Sequence, residues 1–479
     1  MRRLGGPVGL SPVLDGGYCV GCGACAVASE GVRIDESWTG LYKAKVIARS
    51  GEKASAVCPF ASDLNENGLG RKLYGDTANH DARVGYYQDI YAGHVSESEF
   101  RKNGSSGGMV TWVLARLFDL GEIDGVIHVG ETATPGELFQ YRISENKADI
   151  LSNSKSRYYP VHMDEVLREI RGNGKKYAFV GVPCFVKAVR LLAEHDAQLA
   201  DSIRYCIAIF CGHFKTKGFA EMIAWQQGIA PSRLSGINFR VKYTDRPANQ
   251  YGVQVLSEGE EGAELRPPMM TRNLYGMDWG LGYFKPKACD WCDDIAGETG
   301  DLACGDAWLP EFSGDSKGTN IVVIRNEFIS SLVSQGIENG ELMLSEQSVE
   351  KVYESQAGNY RHRQEGLSVR IADANRKGVW CPTKRIDASS FCVSAERAKM
   401  YRLREEIAEK SHSAFYKAKK GSGFIQFYFS MLPLEIRYYM VNKRLVKGMG
   451  KSVLAIAHYL HRRFFSSAHV KHSRSGNIS

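Results

Sequence analysis

No uninterrupted apolar run in this 479-residue chain reaches the roughly 18–20 residues of a membrane-spanning helix. Arg2-Arg3 stands near the start, but no apolar stretch follows it before Tyr18. A signal peptide is therefore not expected, and a cytoplasmic protein is. No internal repeat is evident. No glycine-rich loop runs into Gly-Lys-Ser/Thr, which excludes a Walker-type phosphate loop. Acids are nearly missing from the end of the chain: Ser411 to Ser479 holds twelve Lys/Arg against one carboxylate, Glu435. The net charge of +7 therefore belongs to that appendage, and the rest is mildly acidic. A nucleic-acid partner is not expected on this distribution.

What remains is an ordinary globular composition, 43% hydrophobic and 24% charged. At about 100–200 residues per domain, two or three domains are expected. Twelve cysteines in this length do not make a disulfide scaffold. Several sit in C-x2-C units, the pattern of metal ligands in a reducing compartment.

The densest of these is Tyr18-Cys-Val-Gly-Cys-Gly-Ala-Cys25, followed at a distance by Cys58-Pro59. Thiolates at Cys19, Cys22 and Cys25 suit three corners of one 4Fe-4S cube, with Gly21 and Gly23 permitting the tight turn. Cys58-Pro59 has the form of the remote fourth ligand. A two-cluster ferredoxin run would place another Cys three residues on, where Ser29 and Glu30 stand. The segment reads as half a ferredoxin with one cluster. A zinc knuckle, which pairs C-x2-C units across a longer gap, fits these spacings poorly.

From about residue 83 strands and helices alternate, so the fold class is α/β (α+β overall) with a mostly parallel sheet. Ile123 to Val129, Tyr177 to Val182, Ile203 to Phe210 and Asn320 to Arg325 read as strands. Met109 to Leu120, Asp164 to Arg171 and Val186 to Glu194 read as helices, and Phe100 to Gly108 as a polar loop. The expected domains are a ferredoxin-like 1–80, a catalytic 81–345, a linker with a charged helix at 346–410, and a basic helical extension at 411–479. Cys184 and Cys211 each directly follow a strand, at the sheet edge where ligand sites gather. Cys289-Asp-Trp-Cys292 is a turn free to close over that edge. These four thiols make a second 4Fe-4S site, or a zinc site on the same ligands. Cys206 lies inside its strand as a small hydrophobe. Cys304 is ambiguous, and Cys381 and Cys392 read as structural.

Asn103-Gly-Ser-Ser-Gly-Gly-Met109 opens a helix that Ser105 or Ser106 can cap, and Gly107-Gly108 lets a ligand approach. A plain capped helix explains it equally, and no strand leads into it as a dinucleotide fingerprint requires. Ser154-Lys-Ser-Arg-Tyr158 offers cations and hydroxyls to phosphates or a flavin edge, or is a solvated turn. In the tail, Met449, Val453, Ile456, Leu460 and Phe464 share a helical face flanked by Lys443, Arg444, Lys447, Lys451, Arg462 and Arg463. That pattern suits an anionic membrane surface, an acidic partner, or packing on the body. Before it, Gly423 to Met440 is aromatic-rich and broken by Pro433.

In this order, the pieces resemble the beta-subunit family of coenzyme F-420 hydrogenases and dehydrogenases over about residues 15–325. The resemblance rests on the Cys19–Cys25 run with Cys58-Pro59, Ser105-Ser-Gly-Gly108, Ser154 to Tyr158, Val180-Gly-Val-Pro-Cys184, Phe210-Cys-Gly212, Cys289-Asp-Trp-Cys292 and Gly300 to Trp308. It implies a flavin and iron–sulfur oxidoreductase with two 4Fe-4S clusters and FAD. The flavin would contact Ser105, Ser106, Gly107, Gly108, Ser154, Lys155, Ser156, Arg157 and Tyr158. Cys184, Cys211, Cys289 and Cys292 would hold the second cluster. Cys304 stands where an apolar residue is usual, so it competes for a place in that quartet. Electrons would pass between a ferredoxin-like carrier, or reduced deazaflavin, and a small-molecule or sugar-linked substrate. Ferredoxin-dependent reductases of chlorophyll intermediates, such as 7-hydroxymethyl chlorophyll a reductase, are related. His213 is the first candidate proton donor, beside His128, Asp290 and Asp306. The competing readings are a zinc-binding module without redox chemistry and a non-catalytic partner in surface-polysaccharide assembly. Attachment at the inner membrane face through the tail accompanies the first reading.

Overall fold

The computed structural model describes residues 9–48, 51–75, 78–96, 98–259, 262–421 and 423–472. Arg2 and Arg3 lie outside these residues, and Arg463 and Phe464 lie outside those whose side chains are described.

Eight strands form the central sheet: β1 (Asp89–Val95), β2 (Gly125–Glu131), β3 (Phe139–Ser144), β4 (Tyr177–Gly181), β5 (Ile203–Ile209), β6 (Leu302–Asp306), β7 (Asn320–Ile324) and β8 (Leu342–Glu346). Their order is β8-β1-β7-β6-β5-β4-β2-β3. Four consecutive strands, β6, β5, β4 and β2, pair in parallel. The flanking pairs are antiparallel. The class is the α/β expected, with the parallel part at its centre. The central strands are buried on both faces, which is why β4 and β7 read as continuous apolar runs. Edge strand β8 is buried only at Leu342, and its other positions are half-buried or exposed.

Strand alternation sorts the core into two layers. Ala178, Val180, Ile207 and Cys304 pack with Trp112 and Val113 of helix Met109–Asp119. Phe179, Cys206, Ala208 and Ala303 face the layer containing Val186 and Val189 of helix Pro183–Ala193. The sequence reading missed β1, β3, β6 and β8. Phe100 to Gly108 is not all loop, because Ser98–Asn103 is helical.

The N-terminal segment holds short helices and the hairpin Val32–Glu36/Tyr42–Val46. Its helix Glu66–Tyr74 is tied to the sheet by a buried group. Asp301 accepts from Arg190 Nη2 at 2.7 Å and from the Cys206 backbone N–H at 2.7 Å, while Tyr74 Oη donates to it at 3.3 Å.

Beyond the sheet, Leu234–Val241 and Gly252–Gly259 pair as an antiparallel β-ribbon. Helices Val349–Ser355, Ala357–Arg363 and Glu365–Lys377 occupy the segment read as a linker. Three more follow, Ala395–Lys420, Phe424–Val441 and Leu445–His472. Pro433 does not break the second of these. A proline costs its helix one backbone hydrogen bond, and Pro433 sits on the exposed side, where water can satisfy the freed carbonyl.

Arg190→Met leaves the Asp301 carboxylate buried without its cation. A loss of about 3–5 kcal/mol is expected, measured by urea unfolding. An unchanged midpoint would show that the ion pair on which Tyr74 docks adds nothing to stability.

Candidate functional site

Gly21 and Gly23 shape the first cysteine loop as expected, with φ of +72° and +94°. A Cβ on Gly21 would lie 2.2 Å from the Tyr42 carbonyl oxygen, so only glycine fits beneath the hairpin. Gly21 and Ala44 N–H groups both donate to Cys19 Sγ at 3.4 Å. Cys19, Cys22, Cys25 and Cys58 line one small cavity, otherwise walled by apolar groups such as Val13, Ile34 and Phe60. Burial pushes their thiols up, that of Cys58 to about 11, and for Cys22 and Cys25 neighbouring thiols add to the shift.

The second set converges at the carboxyl ends of the parallel strands. Cys184 opens helix Pro183–Ala193 after β4, and Cys211 follows β5 by two residues. Cys289 and Cys292 come from the 3-10 turn Lys287–Trp291 and its end. The Cys184 thiol is pushed well up by burial first, then by Cys292, Cys211 and Cys289, and last by Cys22 of the first set. Tyr141 senses both Cys184 and Cys22. The two quartets are therefore electrostatic neighbours. Cys304 differs from these four: it is a buried residue of β6, and burial is the one cause raising its pKa.

A residue with no sequence signal completes this set. Arg363, 1% exposed, donates through Nη1 to Cys292 Sγ at 2.8 Å and to the Asp294 carbonyl at 2.6 Å. Its Nη2 donates to the Gly212 carbonyl at 2.8 Å. Burial opposes its charge, but Cys292, Cys211 and Cys289 hold its proton more firmly. It comes from the segment read as a linker.

Beside this set opens a cleft of about 550 Å3. Ser105, Ser106, Gly108, Ser154, Lys155, Ser156, Arg157 and Tyr158 all line it, as do Cys211 and Cys304. Gly107 is not part of the lining. It lies against β1 and β7, where a Cβ would meet Gly93 O at 2.7 Å and Asn320 Oδ1 at 2.8 Å. Neither serine caps helix Met109–Asp119. Its N-cap is Gly108, at φ +90°, and Asn320 Oδ1 accepts from the Met109 N–H at 3.2 Å. The serines instead join loops. Ser105 Oγ accepts from the Ser156 N–H at 2.9 Å, and Ser106 Oγ donates to the Thr319 carbonyl at 2.9 Å.

The lining carries Lys155, Arg157 and Arg240 against one carboxylate, Asp306, while burial and then Lys285 hold the Lys215 pKa well below the usual lysine range. Arg240 neutralises that carboxylate through two contacts of 3.1 Å. Burial, then Arg157 and Arg240, lower the Lys155 pKa. The uncompensated cations suit an anionic ligand, and Trp279, Tyr158 and Tyr251 give the same cleft aromatic walls.

His213 also lines the cleft, with its ring 4.5 Å from that of Trp279. Its Nε2 is buried without a hydrogen-bond partner. Burial, then Lys215, Lys285, His362 and Arg363, hold it well below the usual imidazole range, so it is neutral. His128 lines the cleft but shares a 2.8 Å hydrogen bond with Ser144, and burial lowers its pKa to about 4. Asp290 is not a proton donor to the cleft. Lys285, His362 at 3.0 Å and Arg370 at 3.8 Å surround it in a buried ionic cluster that keeps it a carboxylate. Among the described residues, no three His, Cys, Asp or Glu side chains form a group suited to a single metal ion. Four thiolates on the corners of a cube stand wider than four on one ion, so both quartets remain compatible with clusters.

The models of the coenzyme F420 hydrogenase/dehydrogenase beta subunit match residues 90–168 (N-terminal part) and 174–350 (C-terminal part). The chain belongs to this family. An uncharacterized protein of Methanocaldococcus jannaschii is 27% identical over 266 residues, 53% of this chain and 66% of its own length. A coenzyme F420-dependent sulfite reductase of the same organism is 27% identical over 339 residues, 66% of this chain. The chain spans 46% of that relative's length. A solved chain of the F420-reducing [NiFe] hydrogenase complex from Methanosarcina barkeri aligns with a TM-score of 0.46 and 17% identity, over 64% of this chain and 98% of that one. The second cysteine set and the cleft loops lie within the family ranges, whereas Cys19 to Cys58 and Arg363 lie outside them.

Arg363→Met removes donors from two carbonyls and a thiol at the seam of the second set. Stability is expected to fall by about 3 kcal/mol, with faster hydrogen exchange at 211–214 and 289–294. Unchanged exchange there would show that Arg363 does not hold these loops.

Proposed function

We propose that this chain is an oxidoreductase that carries electrons between a one-electron carrier or reduced deazaflavin and an organic substrate, through two 4Fe-4S clusters and FAD. The observation that carries this reading is the continuity of the three sites. The first thiol quartet neighbours Cys184 of the second, and Cys211 of the second stands in the wall of the cleft. Short steps between sites are what electron transfer requires, and a structural metal site has no need of them. The F420-dependent names of relatives support deazaflavin as a donor.

Cys19, Cys22, Cys25 and Cys58 would hold the outer cluster, and Cys184, Cys211, Cys289 and Cys292 the inner one. Lys155 and Arg157 would bind the anionic part of FAD, with Ser105, Ser106, Gly108, Ser154, Ser156 and Tyr158 around it. A bound flavin exchanges single electrons with a cluster and electron pairs with an organic substrate. The protein's own part is to seat that ligand between aromatic walls, to neutralise its charge with Lys155 and Arg157, and to exclude water. Arg240 holds Asp306 paired, so that no bare carboxylate repels an anion. Neutral His213 lines the cleft with its buried Nε2 unpartnered, and it would hold or pass a proton to a substrate that comes within hydrogen-bond reach.

Anaerobic purification should give a brown protein, bleached by dithionite, with about eight iron atoms and near-stoichiometric FAD. Cys22→Ser and Cys289→Ser should each lose about half of that iron, and Cys304→Ala should lose none. A colourless protein that retains zinc, or loss of all iron from either single variant, would overturn the assignment.

A further inference from the structure

Helix Leu445–His472 presents two different faces along its described side chains. Gly448, Ser452, Ala455, Ile456 and Tyr459 turn to the body. Ser452 Oγ donates to Glu435 Oε2 at 3.0 Å, the Tyr459 ring lies 4.8 Å from that of Phe424, and Arg462 Nε donates to the Gln226 carbonyl at 3.2 Å. The face picked out by periodicity is therefore largely occupied: Ile456 is buried, and Met449 and Leu460 pack against the core.

A second apolar face lies on the other side. Val446 is 89% exposed, Val453 56% and Leu454 51%. Val446, Gly450, Val453 and Ala457, all exposed, recur at i, i+4, i+7 and i+11, so they form one row along the helix. Lys447, Lys451 and Leu454 form the adjacent row, with Lys443 and Arg444 just before the helix. All four of these cations are exposed, and none joins an ion pair among the described residues. The one acid between 411 and 462 is Glu435, which is fully buried, and the exposed Asp278 near the preceding helix accepts from Tyr439 Oη at 3.4 Å and pairs with none of the four. On the preceding helix Phe429 and Met440 are 62% and 59% exposed.

We infer that this face is a docking surface for an anionic lipid bilayer. Its exposed aliphatic row runs along the helix, and exposed lysines border it. Lysine stems can lie over the acyl boundary while their ammonium heads reach anionic headgroups. The helix stays folded on the body through Ser452 and Tyr459, so binding requires no unfolding. Among the described residues no helix is long and apolar enough to cross a membrane, and the arrangement is that of a helix lying on a surface.

Flotation of the full chain with vesicles tests it. Binding is expected to phosphatidylglycerol–phosphatidylcholine vesicles, not to pure phosphatidylcholine, and should weaken with added salt. Val453→Asp with Leu454→Asp, and separately Lys447→Glu with Lys451→Glu, should each lower bound protein by about tenfold or more. All four positions are exposed, so thermal unfolding should be unchanged. Absence of flotation with the anionic vesicles, or flotation unaffected by both double variants, would overturn the inference. So would self-association in analytical ultracentrifugation that the Val453/Leu454 variant abolishes, because the face would then belong to a second copy.

Discussion

Packing thiols out of water beside one another is the constraint on which this structure turns. A buried thiol resists ionisation, and a neighbouring thiol adds to the resistance. The protein gathers eight such groups in two adjoining places, and it supplies the second with a permanent cation. Arg363 reaches Cys292 and two backbone carbonyls from a helix far along the chain. A guanidinium that is never deprotonated, with donors in a rigid fork, suits this task better than a lysine would. Its donors also latch the Cys211 loop to the Cys289–Cys292 turn, so compensation of charge and closure of the site are one interaction.

The sheet decides where this happens. Parallel strands end on one edge, and the loops that leave β4 and β5 carry Cys184 and Cys211 to it. The same edge borders the cleft, so the thiols and the cations of its lining are adjacent by construction. The antiparallel strands widen the sheet without adding thiols to that edge. Cys206 and Cys304 illustrate the rule from the other side. Both are strand residues, and the alternation of the strand sends them into opposite core layers.

Much of this was legible from local pattern. The Cys19–Cys25 run, its two left-handed glycines and the buried strands β4, β5 and β7 follow from spacing and apolar continuity, which are local properties. The loops around Ser105 and Ser154 stood out by their residue types, and both line the cleft. Other features were not. Strand β6 is short and carries Cys304 and glycine, so propensity does not mark it. Helix Ser98–Asn103 is polar on its surface and gives no strong period. Pro433 misleads because a proline at an exposed helical position is tolerated. Gly107 looks like a ligand contact in sequence, but what it accommodates is the close approach of two strands.

By itself the sequence determined the chemistry available: which thiols come in turns, where cations outnumber acids, and which segments must be buried. Only the tertiary structure decided the partners. It packed Cys304 into the core beneath the cleft and set Cys211 in the cleft wall beside the other thiols. It withdrew Asp290 into an ionic cluster, brought Arg363 to the thiols, and turned Ile456 inward while leaving Val446 and Val453 outside. The physical reason is the same in each case. Residue type and period are set by the nearest few positions along the chain. A side chain's neighbours across an interface are set by how distant segments pack, and no local pattern encodes that.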